Sequence, residues 1–115
     1  MTWAEHHRKS EELASLATIL ARQGQTAEAI NYYRLAAEAE AEATALENLD
    51  VSKNRTLGIT VVSTSALWFK GEEFSKAKQL AYRWLATGSL PKFAIDELEE
   101  ILREILILER VPIAV

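Results

Sequence analysis

His6 and His7 stand side by side near Glu5, Glu11 and Glu12, and they are the only imidazoles in the chain. The chemistry open to them is a weak surface metal site. Neighbouring residues on a helix point about 100° apart, so the two rings do not easily share one ion. The favoured reading is an exposed, frayed N-terminus. Glu38, Glu40, Glu42 and Glu47 are a second set of possible metal ligands. Di-metal helical bundles need carboxylates from several helices together with Glu-x-x-His pairs, and the chain has no such pair. A solvated helix face is the favoured reading for all four glutamates.

Nucleophilic chemistry finds no better support. Ser63, Thr64 and Ser65 have no histidine to activate them and fit small contacts inside a helix pair. No histidine lies downstream of the N-terminus, so the arginine-then-histidine arrangement of small helical ribonucleases is absent. The glycines are single, which leaves no phosphate-cradling loop. With no cysteine, disulfides, thiol catalysis and cysteine-held zinc or iron–sulfur sites are excluded. The expectation is a non-enzyme with no catalytic residue, no cofactor and no metal.

Trp68, Phe69, Tyr82 and Trp84 lie close in sequence to Lys70, Lys76, Lys78 and Arg83. Aromatics interleaved with basic residues can stack on single-stranded nucleic acid. The same pattern describes a helical core with a solvated outer face, and that reading is favoured. Net charge agrees: 13 basic against 17 acidic residues give −4, which argues mildly against nucleic acid. The charge is uneven. Residues 1–50 carry 4 basic and 9 acidic side chains, 51–92 carry 7 and 2, and 93–115 carry 2 and 6. Complementary helix faces explain this best; a basic middle that attracts an acidic partner is the alternative.

These residues need elements to hold them. At 115 residues, 49% of them apolar, the chain fits one domain, 1–115, with material for a core. "MTWAEHHRKSEE" has no apolar signal core and no stretch has the apolar length of a membrane span, so a soluble cytoplasmic protein without membrane contact is expected. Leu13, Leu16, Ala17, Leu20 and Ala21 recur at helical spacing and predict one buried stripe. Gly24 ends that helix, and Thr26 caps a second over about 27–49. "DVSKNRT" is a polar connector in which Ser52 and Asn54 are candidate caps. "LGITVVSTSALWFK" is ambiguous: its β-branched residues suit a strand, while Leu57, Val61, Ser65 and Trp68 fall at helical intervals. No partner strand exists, so a buried helix is favoured, with Gly58 as its weak point. Gly71 precedes a fourth helix over about 75–86. Gly88 stops it, and Pro91 sits in the first turn of a fifth.

Two glycine-centred stretches, "LATILARQGQTAEAINYYRLA" and "STSALWFKGEEFSKAKQLAYRWLA", share one design: helix, short turn, helix with small residues on one side. Alanine lets paired helices approach closely, with Ala29 and Ala36 marking the contact face and Tyr33 filling between them. Here the chain resembles tetratricopeptide repeats. Leu13, Leu16, Ala17 and Leu20, then Gly24, Ala29, Tyr33 and Ala36, match the first unit. Ser65, Trp68, Phe74, Ala77, Ala81 and Trp84 match the second less closely. Gly71 sits one residue early, Ala81 replaces an aromatic, and the glycines are 47 residues apart where the standard repeat has 34. The resemblance implies an all-α fold of about five helices. Antiparallel hairpins (units about 10–49 and 57–87) would stack, and a capping helix over about 91–109 would close the end. A three-helix bundle of one such unit plus a helix suits the first hairpin alone.

The resemblance also implies a partner-binding groove lined by the first helix of each unit. That groove would present Glu11, Ala14, Thr18, Ala21 and Arg22, then Ile59, Val62, Ala66, Phe69 and Lys70. It is mainly apolar, which suits an apolar or helical segment of a protein partner more than a charged peptide tail. The C-terminal "ILREILILERVPIAV" is a second candidate. Ile101, Ile105, Leu106, Leu108 and Val111, with Leu102, Ile107 and Ile113, exceed what one capping face needs. Either the excess is an interface for self-association, or the tail folds back over the core. The function expected is a noncatalytic interaction module or adaptor in a larger assembly. The alternatives are a self-assembling helical subunit and, less favoured, a nucleic-acid-binding accessory protein using residues 51–92.

Overall fold

The computed structural model describes residues 2–46 and 54–110, with side chains over 2–43 and 55–110. Five α-helices make up these residues: α1 (Trp3–Arg22), α2 (Thr26–Leu46), α3 (Asn54–Lys70), α4 (Phe74–Thr87) and α5 (Lys92–Arg110). The fold is all-α, and 57–69 is helical throughout. Leu49, Ser52 and the tail from Val111 lie outside the described residues, as does the question of where that tail goes.

Local chemistry explains where the helices begin and end. The Thr2 side chain accepts from the Glu5 backbone N–H at 3.2 Å and caps α1. At the α1–α2 turn, the Gln25 N–H reaches back to the Leu20 carbonyl at 2.9 Å and the Gly24 N–H to Ala21 at 3.1 Å. This is the Schellman pattern, and Gly24 supplies its left-handed residue at φ 80°. The α3–α4 turn repeats the pattern: Glu73 N–H to Trp68 at 2.8 Å, Glu72 N–H to Phe69 at 3.0 Å. Here the left-handed residue is Glu72, at φ 58°. Gly71 therefore serves another purpose. A Cβ at Gly71 would stand 2.8 Å from the Arg34 Cγ and 3.2 Å from the Arg34 backbone nitrogen. It is glycine because α2 passes against it.

Gly58 is likewise a contact point. A Cβ there would lie 2.9 Å from the Pro91 Cγ and 3.2 Å from the Ala94 Cβ, so α3 and the start of α5 meet at that position. Along α3 the Thr60 and Thr64 hydroxyls donate to the carbonyls of Thr56 and Thr60, both at 2.8 Å. Ser65 donates to Ala77 across the α3–α4 interface at 3.2 Å. These bonds satisfy side chains that would otherwise favour other conformations.

The helices pack in chain order: α1 on α2, α2 on α3, and α3, α4 and α5 on one another. The assembly measures 48 × 31 × 18 Å. A helix with side chains is about 10–12 Å across, so the thin dimension holds about two layers. Leu57, Val61, Trp84, Leu90, Leu98 and Leu102 build a core within α3–α5. A second cluster, Ala37, Trp68, Ala77 and Ile105, brings α2 onto it. The α1–α2 interface is made of small residues, with Ser10, Ala17, Ala29, Ala36 and Ala43 all buried. The stripe expected on α1 is narrower than its spacing suggests. Leu16 is 38% exposed and Ala21 is exposed, because α1 has one broad neighbour and buries only the side facing it.

Candidate partner-binding surface

Tyr33 of α2 is the residue on which the two halves of the expected groove meet. The Thr18 hydroxyl donates to the Ala14 carbonyl at 3.0 Å, so the Tyr33 hydroxyl is the donor in its 2.8 Å bond to Thr18. From the other side, the Lys70 Nζ lies 5.6 Å from the centre of the Tyr33 ring, a cation–π distance. One ring thus joins α1 to the end of α3.

The remaining groove residues divide by position. On α1, Ala14 is half-buried, while Glu11, Ala21 and Arg22 are exposed. On α3, Ile59 is 43% exposed and Val62, Ala66 and Phe69 are half-buried. Ile59, Val62 and Ala66 follow one another at three- and four-residue steps and form one stripe. Val62 also leans on the α3–α5 core. Phe69 is mostly occupied inside the molecule, tilted against Phe74 with ring centres 5.6 Å apart.

The residues expected at a self-association surface do not stay together. Ile105 is fully buried in the second core cluster and Ile101 packs against that cluster. Leu106, Ile107 and Leu108 are 42%, 63% and 46% exposed at the end of α5. Val111 lies outside the described residues.

The aromatic group among the basic residues is largely core. Trp68 and Trp84 are buried, and Tyr82 is the member that faces solvent. The Lys76 Nζ sits 4.5 Å over the Trp68 ring, and Lys78 pairs with Glu109 at 2.6 Å. Among the described residues no group of three histidine or carboxylate side chains could hold a metal ion, and no helix is long and apolar enough to cross a membrane.

The N-terminal histidines differ from expectation, and so does one glutamate. Glu40 is 1% exposed and belongs to no solvated face. The His7 Nδ1 donates to both its carboxylate oxygens, at 2.9 and 3.1 Å. The His7 Nε2 pairs with Glu11 at 2.9 Å, and Trp3 stacks on the ring, centres 4.9 Å apart and nearly parallel. Burial alone would lower the His7 pKa; the bond to and charge of Glu40, then those of Glu11, outweigh it and leave it raised. The Trp3 Nε1 is buried with no hydrogen-bond partner among the described residues.

No local motif announces this cluster, but the hairpin register does. His7 stands seventeen residues before Gly24 and Glu40 sixteen after it, so folding the chain at that turn brings them level. The Arg34 contact to Gly71, with Nε donating to the carbonyl at 2.7 Å, joins separate hairpins and has no such signal. Comparison with protein-family models, with curated proteins and with solved structures gives no match.

Proposed function

We propose that this protein is a noncatalytic, tetratricopeptide-like interaction module, an adaptor or small subunit that binds an apolar or helical segment of another polypeptide across α1 and α3. The observation that carries this reading is the stripe Ile59–Val62–Ala66, which continues through Lys70 and Tyr33 to Thr18. An amphipathic segment binds such a stripe by burying its own apolar face there. Two turns with one hydrogen-bond pattern and a thickness of two helices support the repeat-like architecture. Nucleic acid is a poorer fit: Lys76 lies over Trp68, Lys78 is paired with Glu109, and two of the tryptophans are buried.

Site-specific photo-crosslinking in the native host tests this directly. A crosslinker at Ala66 should trap a partner of one defined mass. The same group at Gln79, on the outer side of α4, should not, and Ala21→Glu should weaken the Ala66 adduct. Equal trapping at both positions, or none at Ala66, removes the proposal. A second reading, self-assembly through the end of α5, is favoured by the three consecutive exposed apolar residues there.

A further inference from the structure

Helices α4 and α5 carry opposite charge. The α4 sequence holds Lys76, Lys78 and Arg83 and no carboxylate, whereas α5 holds six acidic residues against three basic ones. Between the two helices, Lys78 and Glu109 pair at 2.6 Å. Lys76 and Arg83 are exposed, seven residues apart on one face of α4, and pair with no carboxylate among the described residues. They flank a notch of about 270 Å³ whose other lining residues, Trp68, Gln79 and Leu80, are uncharged. The Trp68 ring, its centre 4.5 Å from the Lys76 Nζ, holds that cation in place without neutralising it. On α5, Glu97 and Glu104 are also exposed, seven residues apart, and pair with no cation among the described residues. Two helical turns, about 10.5 Å, thus separate the two cations and likewise the two carboxylates.

The two strips do not meet within one molecule. Lys78 and Glu109 mark the sides on which α4 and α5 face each other. At about 100° per residue, Lys76 and Arg83 sit about 140–160° round α4 from Lys78, and Glu97 and Glu104 about 120–140° round α5 from Glu109. The basic strip and the acidic strip therefore point away from each other. We propose that copies of this chain join head-to-tail, the Glu97–Glu104 strip of one copy docking on the Lys76–Arg83 strip of the next. The matched spacing lets both ion pairs form at once, with α5 of one copy lying along the notch of its neighbour. Each joined copy keeps one strip free, so the contact is heterologous and adds further copies rather than closing at two. Exposed ion pairs contribute little singly, so the association is weak, and it is screened by salt. The contact uses neither the α1–α3 surface nor the apolar end of α5, and it stands apart from both readings of the function.

Sedimentation equilibrium of the full chain tests this. At up to about 1 mM protein and about 0.02 M salt, the mean mass should climb with concentration past that of two copies. Raising the salt to about 0.5 M should return it to the monomer. Lys76→Glu with Arg83→Glu should weaken association about tenfold or more, and so should Glu97→Lys with Glu104→Lys. Mixing the two double variants should restore it, because the intact acidic strip of the first meets the intact basic strip of the second. A variant that had lost its fold would not be rescued in this way. A wild type that stays monomeric at low salt overturns the proposal and leaves the basic strip to a different acidic polypeptide. Association that survives both reversals, or that mixing does not restore, overturns it as well.

Discussion

Glu72 is held at φ 58°, a left-handed conformation that side chains with a Cβ resist. The Schellman turn between α3 and α4 imposes it, because Gly71 is already committed one position earlier to the close passage of Arg34. Glycine at 72 would relieve the strain without touching a buried contact. Glu72→Gly should therefore stabilise the protein by about 1 kcal/mol, read as a higher urea midpoint with an unchanged slope. A lower midpoint would mean that the Glu72 side chain contributes more than its backbone costs. The residue scale also explains the one early glycine in the second repeat-like stretch. The two turns superpose in hydrogen bonding when Glu72, not Gly71, is set against Gly24.

Among the elements, α3 decides the architecture. It touches α2, α4 and α5, so packing on three sides holds its β-branched residues in a helix, and the hydroxyls of Thr60 and Thr64 find carbonyls four residues back. Gly58 is the point at which α5 starts against it. Gly58→Ala sets two effects in opposition. Alanine gains about 1 kcal/mol of helix propensity, whereas overpacking costs about 1–3 kcal/mol. The Pro91 ring at 2.9 Å is rigid and sits in the turn itself, so the clash wins. The expected outcome is a net loss of about 1 kcal/mol, measured by thermal or urea unfolding. A gain would show that Pro91 yields more easily than its ring suggests.

At the scale of the whole molecule, the helices form a plate 18 Å thick whose large core residues are concentrated at the α3–α5 end. The α1–α2 end is held by alanines, hydrogen bonds and the His7 cluster. Lys78–Glu109 matches the basic middle segment of the sequence with the acidic last one, whereas Arg34–Glu73 runs the other way, from a cation of the acidic 1–50 segment to a carboxylate of the basic middle. The exposed Leu106, Ile107 and Leu108 give this plate an apolar corner on α5. If that corner joins two copies, light scattering should show a mass that rises with concentration, and Leu106→Glu should return it to the monomer value. A concentration-independent monomer would leave the α1–α3 surface as the better candidate.

The sequence by itself determined the helices and their breaks. Helix spacing, caps and left-handed turn residues act within one or two turns of chain, so Gly24 and the alanine face of α2 could be argued from neighbours alone, while the helicity of 57–69 also needed the lack of a partner strand elsewhere in the sequence. Which sides those helices bury was decided only by tertiary packing. Leu16 and Glu40 exchange the expected outside and inside because α1 packs broadly on α2 alone and lays His7 against Glu40 of that helix. Gly58 and Gly71 acquire their reasons from Pro91 and Arg34, residues more than thirty positions away. Close approach between distant segments depends on how whole helices slide and rotate against each other, and no short window of sequence carries that information.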